Sequence, residues 1–348
     1  MAPRCCCDAT ATKTIATAWT DHSPFTDNPT DTTIVLLLPR QLPAVSNLRR
    51  QGFAVDEFDP SVSPLPEGFC DVLLLNLMPI KPVTEEDIAR SLCMTGRNVR
   101  LVPITLDGQR FKHTPQTYID RYYLPFTQAA DLHPAGVIVT GAPLEQMPFE
   151  EVRYWEQLCY FMDWADTHTR STLYICWAAQ AALYHFYHVD KVALTAKCFG
   201  IFPQELIPVT PLPERTALHA GTGAGEIVTP RCHNLLRNLP RPFYMPHSRH
   251  TGLLTHDLLA HGDEGLVVLA HGEECGPSLC ASRDARRVFI SGHLEYEPFT
   301  LHNEYQRDLT RGLPIAPPLH YYKKDGQPDY RWKASCAAFY DNYLSLLE

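Results

Sequence analysis

The chain has 348 residues and lacks several features that would place it at a membrane or on nucleic acid. Its longest apolar runs, Thr33–Pro39 and Val72–Ile80, are far shorter than the roughly 20 residues of a membrane-spanning helix. The first residues contain no apolar segment of the secretory type. No block of five or more basic residues occurs, and the net charge is −9. We therefore predict a cytoplasmic protein that binds neither membranes nor nucleic acid.

Metal-ligand spacing is also absent. The 12 cysteines form no C-x-x-C pair, and the 16 histidines form no H-x-x-x-H pair. Cys275 and Cys280 are separated by four residues, which is unlike a tetrahedral zinc motif. We predict no bound metal and no disulfide framework, as expected in a reducing compartment.

The order of apolar and helical segments predicts the fold class. Residues 1–31 are polar and rich in Thr, Asp and Pro, which is typical of a disordered tail. Residues 32–348 alternate buried-type strands with amphipathic helices. Thr84 is the predicted N-cap of one helix, and Phe149–Thr167 is the predicted range of another. This pattern predicts one α/β domain with a doubly wound, mostly parallel sheet of flavodoxin-like type. Residues 207–230, rich in Pro, Gly and Thr, are the predicted surface insertion.

Ser171–Ala182 is the stretch around which the chain is organised. An apolar run, Leu173–Ile175, leads into Cys176, and strong helix formers follow from Trp177. A cysteine at a strand-to-helix turn is held clear of the sheet, and the helix N-terminus favours its thiolate form. The alternative is a buried structural cysteine, because free cysteines are usually buried.

His293 and Glu295 follow a second predicted strand, Arg287–Ile290. Open α/β sheets bind ligands at the carboxyl ends of their strands. Residues at i and i+2 share a face of extended chain, so Glu295 can orient the His293 imidazole. With Cys176 they form a candidate Cys-His-Glu triad for nucleophilic catalysis. A solvated histidine beside an unrelated acid is the alternative.

Six separated motifs resemble those of the MetA-type homoserine O-acyltransferases, enzymes of methionine biosynthesis with a fold similar to class I glutamine amidotransferases. The resemblance runs from about residue 34 to the C-terminus. The motifs, in order, are Asn76–Pro79, Thr140–Glu145, Phe149–Trp155, Cys176–Ala178, Pro246–Arg249 and Gly292–Tyr296.

The resemblance implies a ping-pong mechanism without a bound cofactor. Cys176 would take the acyl group from acyl-CoA as a thioester, and His293 would then deprotonate the homoserine hydroxyl. We expect the oxyanion hole to use the backbone amides of Trp177 and Leu144. The family also implies a homodimer.

Substrate residues carry over by motif. Arg307 matches the arginine that binds the amino-acid carboxylate, a task suited to a bidentate guanidinium. Ser248 and Lys197 match further substrate-binding positions. Without the resemblance, these three would be assigned as a surface arginine, a turn hydroxyl and a solvated charge.

Glu145 bears on the acyl donor. In the family, glycine at this position accompanies succinyl donors and glutamate accompanies acetyl donors. A carboxylate there would repel the distal carboxylate of succinyl-CoA and fill its space, so acetyl-CoA is the predicted cosubstrate. The alternative is that Glu145 only stabilises the next helix N-terminus.

Other functions remain open from the sequence alone. The insertion lies between Lys197 and Ser248, so L-serine is an alternative acceptor, and succinyl-CoA is an alternative donor. A glutamine amidotransferase is a rival enzyme, although Cys176 is flanked by Tyr174 and Ala178 and not by the Gly-x-Cys-x-Gly elbow. A non-catalytic binding module is the third alternative.

Overall fold

The computed structural model describes residues 35–59, 64–211 and 226–348. In these ranges the strands are β1 Leu36–Pro39, β2 Val55–Phe58, β3 Cys70–Leu75, β4 Val99–Thr105, β5 Leu124–Pro125, β6 Gly136–Val139, β7 Ser171–Ile175, β8 Val192–Leu206, β9 Val209–Pro211, β10 Glu226–Val228, β11 Phe243–Gly252, β12 Leu266–Gly272, β13 Gly276–Ser282 and β14 Arg287–Ile290. The α-helices are α1 Pro43–Arg50, α2 Lys81–Cys93, α3 Gln116–Tyr122, α4 Phe126–Ala129, α5 Trp155–His168, α6 Trp177–Tyr187, α7 Pro230–Asn234, α8 Thr255–Leu259, α9 Thr300–Thr310 and α10 Lys333–Ser345.

One large sheet contains most of these strands, in the order β11-β8-β12-β13-β14-β7-β6-β3-β4-β1-β2, with β5 beside β4. From β2 to β14 the neighbouring strands are parallel. From β14 to β11 they are antiparallel. The predicted α/β fold with a mostly parallel sheet is therefore confirmed.

Helices cover both faces of the sheet, as a doubly wound fold requires. Val72 and Leu74 of β3 pack in one core with residues of α2 and α10. Leu73 and Leu75 point to the other face and pack with residues of α5 and α6. Because Val72–Leu75 of β3 is buried on both faces, this run is continuously apolar and does not alternate.

Two local predictions were wrong. The helix predicted to start after Thr84 begins at Lys81, because Pro82 fits the first turn and Ile80 is the N-cap. The helix predicted from Phe149 consists of a 3₁₀ turn, Phe149–Glu151, and α5, which starts at Trp155. Between them Val152 is extended, with ψ of 120°, and this interrupts the helix.

The predicted insertion contains two short strands. β9 and β10 pair in parallel as a separate two-stranded sheet, and residues 212–225 between them lie outside the described residues. The predicted disordered tail, 1–31, also lies outside the described residues. Among the helices that the structure describes, none is both long enough and apolar enough to cross a membrane.

Candidate active site

The carboxyl ends of four neighbouring parallel strands form the candidate site. β3, β6, β7 and β14 are adjacent in the sheet and run in the same direction. Their following residues include Asn76, Gly141, Cys176 and His293, so the motifs that are far apart in sequence meet at one edge.

Cys176 occupies a strained turn between β7 and α6. Its φ of 54° and ψ of −113° are rarely adopted by residues other than glycine, and such strain is typical of a nucleophile elbow. The Cys176 N–H donates to the Ile290 carbonyl oxygen, 2.7 Å away, which ties the elbow to β14. Only 5% of the residue is exposed. The turn therefore holds the sulfur at the positive end of α6.

His293 lies between Cys176 and Glu295. Its Nδ1 is 2.7 Å from Glu295 Oε1, and both side chains are buried. Burial lowers the pKa of His293, but the charges and hydrogen bonds of Cys176 and Glu295 outweigh it and raise the pKa well above its usual value. The structure thus brings the three predicted residues into one array, in which the charged form of the His293 imidazole is favoured.

Gly292 allows the His293 loop to pack tightly against β11. A Cβ at this glycine would lie 2.6 Å from both Met245 Sδ and the Pro246 carbonyl oxygen. The His293 N–H donates to the same Pro246 oxygen at 2.8 Å. This close contact fixes the backbone that carries the imidazole.

The predicted oxyanion donors differ in their surroundings. Trp177 is the first residue of α6, where backbone N–H groups have no acceptor within the helix. Gly141 packs against the elbow, since a Cβ there would be 3.4 Å from Cys176 Cβ and 3.7 Å from Trp177 N. The Leu144 N–H donates to the Ala142 carbonyl oxygen at 2.8 Å, so this amide is already engaged in its turn.

A polar cluster next to the triad contains the three predicted substrate residues. Ser248 Oγ donates to Glu304 Oε2 at 2.5 Å. Lys197 Nζ lies 3.7 Å from Glu304 Oε2 and 3.7 Å from Asp308 Oδ2. Arg307, on the same helix, donates from Nε to Asp308 Oδ1 at 2.7 Å, and its side chain is about half exposed. The structure therefore brings all three together.

Tyr296 connects this cluster to the triad. Its ring stacks on the His293 imidazole, with 4.2 Å between the ring centres. Its hydroxyl donates to Glu304 Oε1 at 3.4 Å. Tyr296 and Glu304 were not among the predicted catalytic or substrate-binding residues. Glu304, Arg307 and Asp308 are spaced i, i+3 and i+4, which places them on one face of a helix. This spacing could have indicated that Glu304 belongs to the same cluster as Arg307.

Glu145 lies in a separate cleft of about 500 Å³. Its Oε2 accepts a hydrogen bond from the His250 backbone N–H at 2.6 Å. Lys191 and Glu150 line the same cleft. Among the residues that the structure describes, no group of three or more His, Cys, Asp and Glu side chains is placed to hold a metal ion.

Comparison with known proteins identifies the family. The model of the family described as homoserine O-succinyltransferase matches residues 35–215 and 225–347. The chain belongs to this family. A homoserine O-acetyltransferase from Parabacteroides distasonis is 40% identical over 318 residues, which are 89% of this chain and 93% of that protein. The homoserine O-acetyltransferase of Bacillus licheniformis is 37% identical over 88% of this chain and 95% of that protein.

Solved structures of glutamine amidotransferases show a weaker similarity. The one from Methylobacillus flagellatus has a TM-score of 0.49 and 11% identity, covering 81% of this chain and 96% of that chain. The one from Thermotoga maritima has a TM-score of 0.47 and 12% identity, covering 80% of this chain and 98% of that chain.

Proposed function

We propose that this family member is a homoserine O-acetyltransferase that works through a thioester on Cys176. The observation that carries the proposal is the buried array of Cys176, His293 and Glu295 at the sheet edge. The relatives named homoserine O-acetyltransferase supply the reaction, and methionine biosynthesis follows from it. A cytoplasmic location and a homodimer remain predictions.

In the first half-reaction the Cys176 sulfur attacks the thioester carbonyl carbon of acetyl-CoA. The carbonyl π electrons move to oxygen, and the backbone amide of Trp177 is the proposed donor to that oxyanion. For Leu144 to contribute, its amide would have to leave Ala142. The carbon–sulfur bond to CoA then breaks, and the leaving thiolate takes the proton from His293. One thioester replaces another, so little free energy is lost.

In the second half-reaction the homoserine hydroxyl attacks the enzyme thioester. His293 accepts the hydroxyl proton, while Glu295 stabilises the resulting imidazolium. The bond from the acetyl carbon to Cys176 breaks, which returns the thiolate and releases O-acetylhomoserine. The array thus returns to its starting protonation state after each cycle.

The polar cluster matches the charges of an amino acid. Arg307 is about half exposed and is the proposed partner of the substrate carboxylate. Glu304 is surrounded by hydrogen-bond donors from Ser248 and Tyr296, and we assign it to the substrate ammonium. Lys197 balances the two acidic side chains, Glu304 and Asp308.

A steady-state assay tests the proposal by combining acetyl-CoA or succinyl-CoA with homoserine or serine and measuring CoA release. We expect the largest kcat/KM for acetyl-CoA with homoserine, and no turnover by Cys176→Ala. Preference for succinyl-CoA or serine would contradict the assigned substrates. Glutamine hydrolysis without acyl transfer would favour the amidotransferase alternative, and no activity on any substrate would favour a binding module.

A further inference from the structure

The side chain of Tyr296 contacts the triad with its ring. The ring lies on the His293 imidazole, with 4.2 Å between the ring centres and 12° between the ring planes. Glu295 holds the same imidazole at its edge, because its Oε1 is 2.7 Å from Nδ1. The imidazole is therefore restrained at its edge by one residue and on its face by the other. The face of an aromatic ring also attracts a cation, so the stack favours the charged imidazole.

The same side chain contacts the polar cluster with its hydroxyl, which donates to Glu304 Oε1 at 3.4 Å. The other oxygen of this carboxylate, Oε2, accepts from Ser248 Oγ at 2.5 Å and lies 3.7 Å from Lys197 Nζ. Oε1 is therefore the oxygen that faces Tyr296 and, through its ring, the triad. A carboxylate oxygen has two lone pairs, so Oε1 can accept from a substrate ammonium and from the tyrosine together.

The backbone of Tyr296 is anchored independently of its side chain. Its carbonyl oxygen accepts a hydrogen bond from Nε1 of the fully buried Trp332 at 3.0 Å. Burial and the negative charges of Glu304 and Glu295 raise the pKa of the Tyr296 hydroxyl, so the hydroxyl stays protonated and can donate. A substitution at this position therefore removes the two side-chain contacts and leaves the backbone anchor in place.

We propose that Tyr296 is a positioning residue that holds the His293 imidazole and the Glu304 carboxylate at a fixed separation. The acceptor spans this separation, with its ammonium on Glu304 and its hydroxyl at His293. The two ends of the tyrosine have different tasks. The ring orients the base in both half-reactions, whereas the hydroxyl orients the ammonium-binding carboxylate in the second half-reaction only. This inference rests on the proposed function and assigns a residue that acts through two others.

Two substitutions separate these tasks, and single-turnover kinetics measure each half-reaction. Tyr296→Phe keeps the ring and removes the hydroxyl, whereas Tyr296→Leu removes both contacts. The first half-reaction is measured as the rate of CoA release from acetyl-CoA without an acceptor. The second is measured as the loss of the acetyl group from the acetyl-enzyme at increasing concentrations of homoserine.

For Tyr296→Phe we expect unchanged acetylation and a roughly 3- to 10-fold higher homoserine concentration at half-maximal transfer, the range of one hydrogen bond. For Tyr296→Leu we expect both half-reactions to slow by roughly 3- to 30-fold, the range of a cation–π contact. A purely structural role predicts that phenylalanine, which fills the same space, matches the wild type in both half-reactions. That result, or wild-type acetylation by Tyr296→Leu, would overturn the proposal.

Tyr322→Phe is the matched control, because the Tyr322 hydroxyl also contacts a histidine, with 2.9 Å to His302 Nδ1. No hydrogen bond joins this hydroxyl to Glu304 in the part of the chain that the structure describes, so both half-reactions should stay unchanged. If Tyr296→Leu does not fold, Tyr296→Met replaces it with the same expectations. Absence of acetyl transfer in the wild type would refute the proposed function. Normal transfer in the wild type with unchanged kinetics in Tyr296→Leu would refute only this inference.

Discussion

Replacing Glu295 by glutamine tests whether a charged triad operates at this site. The substitution keeps the shape of the side chain and removes its negative charge. That charge raises the pKa of His293 and is the third-largest influence on it, after burial, which lowers the pKa, and the charge of Cys176, which raises it. If the amide oxygen faces His293 Nδ1, the amide nitrogen takes the place of Oε2. That oxygen is buried and has no hydrogen-bond partner among the described residues, so an N–H there would be unsatisfied.

The expected loss of kcat lies between about 10²-fold and 10⁴-fold. The lower value corresponds to about 2.7 kcal/mol, which is near the upper end of the range of about 1.5–3 kcal/mol for one buried charge-assisted hydrogen bond. The upper value is about what the loss of the acid costs in a triad whose geometry stays intact. The KM for homoserine should change little, because no hydrogen bond joins Glu295 to the described polar cluster.

The assay is steady-state CoA release with acetyl-CoA and homoserine, together with circular dichroism as a check of folding. Glu297→Gln is the matched control, because Glu297 lies two residues away, is about half exposed and pairs with Arg90 at 2.9 Å. A folded Glu295→Gln enzyme with kcat within threefold of the wild type would refute the role of the charge.

Three further predictions concern the acceptor, the packing and the pH dependence. Arg307→Lys should raise the KM for homoserine about tenfold, because lysine cannot make the proposed bidentate contact with the substrate carboxylate, while acetyl-enzyme formation without acceptor stays unchanged; a slower first half-reaction would count against this assignment. Gly292→Ala should lower the unfolding free energy in urea by about 2 kcal/mol, because its Cβ meets Pro246 O at 2.6 Å; unchanged stability would contradict the packing argument. Burial lowers the pKa of Lys81 to about 8, so its contribution to stability falls as pH falls from about 10 to 8. The unfolding free energy of the wild type minus that of Lys81→Met should decrease by about 2 kcal/mol over this range, and a flat difference would contradict the shift.

Local sequence was sufficient to predict the parallel strands and the position of Cys176 between a strand and a helix. The run Val72–Leu75 is buried on both faces, and this burial is what its continuous apolar sequence indicated. Cys176 stands directly after β7 and before α6, as the change from strand-type to helix-type residues predicted. His293 and Glu295 were likewise close enough in sequence to be paired.

Contacts between distant segments could not be predicted from local patterns. Ser248 and Glu304 are 56 residues apart, and their hydrogen bond depends on the way that α9 packs near β11. The bulge at His250 depends on the register of β11 against β8, which the apolar pattern of either strand does not specify. α2 starts at Lys81 because Pro82 fits the first turn of a helix. The more familiar capping pattern after Thr84 was therefore misleading.

The most direct test of a thioester mechanism is mass spectrometry of the intact protein after incubation with acetyl-CoA alone. The mechanism predicts one added acetyl group, located on the peptide that contains Cys176, absent in Cys176→Ala and removed when homoserine is added. Turnover without any such adduct, or an acetyl group that stays on the enzyme in the presence of homoserine, would contradict it.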